Sequence, residues 1–232
     1  TKTLQNMSDR SLYRLGAGMV NYISDISFDL LVENTESFTF RNGYTPSYGV
    51  LVATSGYVTF NNVGTVNFTG NVAGESGIVE ETTFTINGAN NVIFSNNKGN
   101  SAAIAYRTSS SEAFNVSNVS GSVVFSENSA NSLFHNYTAS FTDVNELYFI
   151  NNTSRIYKTY NGAVKPVFTN VQKLVISGNT ATECLILDDK LDGAKISFYN
   201  CVDIIISNNS YDRQLIDCTQ GMVGENIKNF HI

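Results

Sequence analysis

Asp188-Asp189-Lys190-Leu191-Asp192 is the densest acidic run in the chain. Carboxylates at that density suit two chemistries. Polysaccharide lyases gather them around Ca²⁺ and add a basic proton acceptor. Glycoside hydrolases set two of them about 5 to 10 Å apart across a groove. Gly193 follows at once, and a solvated turn accounts for the same residues. Glu80-Glu81 also reads as a turn, and Arg107, Tyr137 and Lys158 supply no further carboxylates to the acidic run. His135 and His231 stand far apart, and each reads as a surface or turn residue rather than a general base. No G-x-S-x-G elbow and no Gly-rich phosphate loop occurs. We therefore expect no catalytic, cofactor-binding or metal-binding residues and no enzyme activity.

Cys184, Cys201 and Cys218 lie 17 residues apart, and their odd number forbids complete internal pairing. They read as structural thiols, with an intermolecular disulfide as the alternative. No His/Asp cluster accompanies them for metal ligation. The 232 residues carry 14 basic and 20 acidic side chains, a net charge of −6, and no two basic residues adjoin. That pattern lacks the electrostatic footprint of nucleic-acid binding. Charged residues make up 15% of the chain, and about 30 asparagines together with Ser, Thr and Gly fill the polar positions. Val, Ile, Phe, Tyr and Thr dominate the apolar runs, which favours strands. Tyr44, Tyr48, Tyr106, Tyr157, Tyr160 and Tyr211 fall in or near turns, where exposed tyrosines serve interfaces.

The elements that must position these groups repeat. Phe68-x-x-Asn71, Phe94-x-x-Asn97, Phe125-x-x-Asn128, Phe149-x-x-Asn152, Ile176-x-x-Asn179 and Ile206-x-x-Asn209 recur at intervals of 26, 31, 24, 27 and 30 residues. A period in that range marks a solenoid. Each interval holds two more apolar segments. One comprises Val50-Leu51-Val52, Gly77-Ile78-Val79, Ala103-Ile104-Ala105, Leu133-Phe134, Ile156-Tyr157, Leu185-Ile186-Leu187 and Leu215-Ile216; the other carries Phe60, Phe84, Phe114, Phe141, Phe168 and Phe198. Three short strands per turn predict an all-β, right-handed parallel β-helix of about seven to eight rungs. Equivalent phenylalanines stack inside it, and the motif asparagine sits where the strand bends, in left-handed backbone geometry with its amide bonded to the copies above and below. Residues 1–18 fit no rung and read as a cap or linker. Residues 19–232 form the β-helix, beginning with Met19 to Ile23 and Ile26 to Val32. Ile227 to Ile232 aligns with Val171 to Ile176, so the chain stops within a strand and reads as a fragment truncated at its C-terminal end.

The stretch from Tyr57 to Val79, with its V-x-F strand and Phe68-x-x-Asn71, resembles the chlamydial polymorphic membrane proteins. These are autotransporters whose passengers repeat F-x-x-N and G-G-A-[ILV]. The likeness covers roughly residues 38–232, with four strict F-x-x-N copies and two in which Ile replaces Phe. The second motif departs: Glu75-Ser-Gly-Ile78, Ser101-Ala-Ala-Ile104, Asn131-Ser-Leu-Phe134 and Thr182-Glu-Cys-Leu185 stand in its place. The resemblance implies a surface-displayed adhesin, the passenger of a type V autotransporter that attaches to host cells and contributes to virulence. Its partner would be a host cell-surface protein or glycan receptor, with self-association as a further partner class. It would lie at the bacterial surface and outer membrane, or be secreted after processing, reaching the membrane only through a barrel absent from this chain. By the same resemblance Phe68, Asn71, Phe94, Asn97, Phe125, Asn128, Phe149 and Asn152 are the adhesion residues, or build the scaffold alone. A carbohydrate-active β-helix, lyase or glycan-binding, and a structural stalk are the alternatives.

Overall fold

Alternating inward side chains pull the chain into a parallel β-solenoid. The computed structural model describes residues 2–5, 10–13, 29–45, 49, 51–52, 57–74, 78–107, 113–159, 165–189, 194–217 and 221–232. Every strand pairing among them is parallel. One sheet stacks the long strands Asp29–Arg41, Tyr57–Thr69, Thr83–Ser95, Ala113–Ser126 and Thr138–Ile150. A second stacks Val79–Glu80, Ala102–Tyr106, Ser129–His135 and Thr153–Thr159. No α-helix occurs among the described residues.

In register, Phe40, Phe68, Phe94, Phe125, Phe149, Ile176 and Ile206 form one inward column. Six turns therefore separate Phe40 from Ile206, fewer than the seven to eight rungs expected, with partial turns beyond. Consecutive rings stack: Phe68 on Phe94 at 5.3 Å, Phe94 on Phe125 at 5.1 Å and Phe125 on Phe149 at 4.9 Å between centroids. Fully burying each ring is worth about 1.5–3 kcal/mol, which no single rung obtains without its neighbours. The second-strand segments stack in the expected order, and their register runs through Leu51, Val79, Ala105, Phe134, Tyr157, Leu187 and Ile216.

Three expectations change. The third segment and the next anchor are not separate strands in the early turns. They run together as one strand of 13 or 14 residues bent at a single left-handed residue. Phe60 is not the equivalent of Phe84: Val58 pairs with Phe84 and then Phe114, while Phe60 pairs with Ile86. The two phenylalanine sets lie two residues apart on the same inward face. Residues 2–5 and 10–13 do not stand outside the rungs, since Lys2–Gln5 pairs with Leu30 to Glu33 and Arg10–Tyr13 with Phe38 to Arg41. The strand expected from Met19 to Ile23 lies outside the described residues.

Candidate functional site

The motif side chains face inward. Phe68, Phe94, Phe125 and Phe149 are fully buried, as are Asn71, Asn97, Asn128 and Asn152, none of which exposes more than 1% of its surface. The asparagines form an internal ladder. The backbone N–H and the side-chain Nδ2 of Asn97 both donate to Asn128 Oδ1, at 2.9 and 3.1 Å. Asn128 does the same to Asn152, and Asn152 to Asn179. The second amide hydrogen of each reaches back to an anchor carbonyl, as from Asn128 Nδ2 to Phe94 O at 2.9 Å. Each residue thus satisfies donors and acceptors that the strand end would otherwise bury unpaired.

The bend itself belongs to the preceding residue. Asn42, Gly70, Asn96, Glu127, Asn151, Gly178 and Asn208 hold positive φ, whereas the ladder asparagines do not. This corrects the expectation that the motif asparagine takes the left-handed angle. Division of labour explains it: a buried side chain that bonds along the axis needs extended backbone geometry, so the adjacent residue takes the strain, and Gly and Asn bear it best.

The residues picked out for chemistry do not assemble into one centre. Asp188 pairs in register with Asp217 and with Lys158, and Asp189 with Thr159; Lys190, Leu191 and Asp192 lie outside the described residues. Among the described residues no three His, Cys, Asp or Glu side chains are grouped to hold a metal. Cys184 and Cys201 are free and buried. Burial pushes both thiols up, and for Cys184 the Asp217 carboxylate adds to it. Cys218 is outside the described residues.

A buried polar cluster at the end of the second sheet escaped the sequence. His135, read as a surface or turn residue, ends the strand Ser129–His135 and is only 6% exposed. It meets the Tyr106 ring edge-on at 5.0 Å. Burial is the main cause that brings its pKa down to about 4; Lys158 adds to this and Arg155 less so, against a hydrogen bond with the Ser101 backbone. Arg107 is buried beside it, its Nε donating to Asn136 O and its guanidinium 5.5 Å from the Tyr137 ring centre. Tyr137 Oη donates to Thr82 O at 2.7 Å and accepts from Thr82 N at 2.9 Å, a link across two turns. Glu80 accepts from Gly49 N at 2.9 Å, and Arg155 bridges Glu183 at 2.8 Å. Residues 24 to 55 positions apart meet here, with no common spacing for a sequence pattern to reveal.

Of the tyrosines expected near turns, Tyr44 and Tyr211 are exposed and Tyr106 is half-buried; Tyr48 and Tyr160 lie outside the described residues. Tyr157 is a correction: it is fully buried and stacked on Phe134 at 5.2 Å, and its hydroxyl finds no partner. Burial raises that hydroxyl well above the ordinary tyrosine pKa. Removing an unsatisfied buried hydroxyl recovers its desolvation cost of about 1–3 kcal/mol. Tyr157→Phe is therefore expected to raise the denaturant midpoint by about 1 kcal/mol or more in stability. A lower midpoint would mean that the hydroxyl is bonded after all.

A shallow groove of about 380 Å³ crosses the bend of the long strands, lined by Asn62, Val63, Gly64, Gly88, Ala89, Asn90, Asn118 and Ser120. Its walls are uncharged amides, a hydroxyl and small residues, a surface for hydrogen bonding rather than for proton transfer. No family model, curated protein or solved structure matches this chain.

Proposed function

We propose that this chain is a passenger segment of a surface-displayed adhesin of the type V autotransporter kind, attaching its bacterium to host cells. The observation that carries this reading is the coupling of F-x-x-N to the turn. Each copy contributes one inward ring and one step of the asparagine ladder, so the repeat builds length and leaves outward positions free to vary. Stacked repeats of this kind present extended surfaces suited to macromolecular partners. The four Phe/Asn pairs then support adhesion as scaffold, since their side chains are buried, and the receptor meets the outward residues and the turns.

The test is a bead assay. Beads coated with the folded chain are expected to bind cultured animal cells several-fold above beads coated with an unrelated β-helix. Binding equal to that control overturns the adhesive reading and leaves a stalk. The glycan-binding alternative is favoured by one observation, the uncharged amide-lined groove.

A further inference from the structure

In a repetitive fold, the places that break the repeat carry the most information, because regularity there has been given up. At the bend of the long strands one column reads Asn34, Asn62, Gly88, Asn118, Asp143, Asn170, Asn200 and Asn226, all at positive φ. Most of its neighbours are joined by side-chain bonds: Asn170 Nδ2 to Asp143 Oδ1 at 2.7 Å, Asn200 Nδ2 to Asn170 Oδ1 at 3.1 Å, Asn226 Nδ2 to Asn200 Oδ1 at 2.9 Å. Gly88 interrupts this outer ladder, and Asn118 turns aside to Asn87 Oδ1 at 2.7 Å.

Three further departures fall at the same spot. The position two beyond the bend holds Glu36, Gly64, Asn90 and Ser120 in successive turns, and Gly64 removes a side chain one turn before Asn90. The inward corner residue shrinks to Ala89 between Val63 and Val119. One turn further on, a β-bulge between Val119 and Ser122 shifts the register and presents Ser120, whose Oγ donates to Asn90 Oδ1 at 3.1 Å. Glycines in strand interiors and bulges both recur where another molecule approaches the backbone. All four departures line the 380 Å³ groove.

The lining decides the ligand class. None of the eight residues is ionisable, so the groove itself brings no countercharge to a phosphate, a carboxylate or a metal ion. Asn62, Asn90 and Asn118 each carry an amide donor and an acceptor, and the Ser120 hydroxyl, whose proton goes to Asn90 Oδ1, keeps its oxygen as an acceptor. That pairing matches sugar hydroxyls, which also donate and accept. An added peptide strand fits less well, because the strands here are paired on both sides and present no free edge. Three turns span roughly 10 Å, the reach of a di- or trisaccharide. We infer that this groove binds a short neutral glycan. The inference deepens the adhesive reading and rests on it, supplying a receptor chemistry for one part of the surface.

Gly88→Asn tests it without unfolding the chain. Asparagine takes φ between 50° and 56° at six other positions of this column. A Cβ at residue 88 meets only the Asn62 Oδ1 within 3 Å, the end of an exposed side chain held by one long bond, Nδ2 to Asn34 Oδ1 at 3.4 Å. The variant fills the groove and restores the outer ladder. The whole chain is titrated with maltotriose, cellotriose and N-acetyllactosamine, and with an uncharged pentapeptide, while the side-chain amide signals of Asn62, Asn90 and Asn118 are followed by NMR. At least one sugar is expected to shift these signals at millimolar concentration. Gly88→Asn is expected to weaken that binding at least tenfold with an unfolding midpoint equal or higher. Signals unmoved by every sugar, an unchanged affinity in Gly88→Asn, or shifts caused by the peptide alone would overturn the proposal. Cell binding of coated beads that persists in Gly88→Asn removes the groove from adhesion and leaves the adhesive reading standing.

Discussion

Asn128→Ala is expected to destabilise the chain by about 3–6 kcal/mol, while Asn209→Ala costs about 1 kcal/mol. Asn128 sits mid-ladder and is fully buried. Its Oδ1 accepts from the backbone N–H and Nδ2 of Asn97, and its own Nδ2 donates to Phe94 O and Asn152 Oδ1. Alanine deletes all four bonds and leaves a buried backbone donor, an amide hydrogen and two acceptors short of partners. Each orphaned group costs about 1–3 kcal/mol where water cannot enter. Asn209 makes the same kind of bonds to Asn179 and Ile176 but is half-exposed, so water substitutes. Guanidinium unfolding of both variants measures the contrast, and hydrogen exchange at the Asn97 amide reads it locally. Equal midpoints, with Asn97 exchange unchanged, would mean that the ladder follows from the fold rather than holding it.

Aspartate at the same position makes the ladder's stability depend on pH. Asn128→Asp keeps the shape and both acceptor functions yet loses the amide donors. At neutral pH it sets a buried carboxylate against Phe94 O and Asn152 Oδ1, about 3 Å away in the parent. Burial and these acceptors favour the protonated form, so its folded-state pKa rises above the unfolded one. The folded state then binds the extra proton, and Asn128→Asp should gain stability relative to Asn128→Ala as pH falls.

The anchors were legible because the interior accepts one large apolar residue per turn at one place, and that demand prints a period on the sequence. The second-sheet column was legible for the same reason. The roles within Phe-x-x-Asn were not, because Asn96-Asn97, Asn151-Asn152 and Asn208-Asn209 offer two asparagines for two different jobs. Gly70-Asn71 and Gly178-Asn179 held the missing signal: a glycine is placed at the bend, and only the second position is always asparagine. The slip between Phe60 and Phe84 has a similar origin. Phe60 lies two residues before its bend residue Asn62, and Phe84 lies four before Gly88; both face inward because the strand repeats every two residues. Gly88 and Gly64 were visible as letters, yet their meaning depends on register across three turns. The His135 cluster depends on it still more, since nothing in the chain marks Thr82, Arg107, His135 and Tyr137 as neighbours.

That cluster makes the chain acid-sensitive through one residue. His135 is neutral when folded, because burial and then the Lys158 and Arg155 charges hold its pKa down at about 4, whereas an unfolded histidine titrates near 6.5. Between these values the unfolded chain binds the proton and the folded chain does not, so stability rises with pH across that window. The contribution is fully present above about pH 6.5 and is lost as pH falls towards 4, a change of about 3 kcal/mol at 1.36 kcal/mol per pKa unit. His135→Gln, neutral at every pH, is expected to remove that share of the acid loss. The wild-type and variant stabilities should therefore converge or cross as pH drops from 7.5 to 4, with the variant gaining about 3 kcal/mol relative to wild type. Urea unfolding at a series of pH values measures the difference, and NMR titration of the imidazole locates the midpoint directly. A parallel pair of stability curves, or a folded-state midpoint near 6.5, would show that the imidazole reaches solvent and that Lys158 and Arg155 act elsewhere.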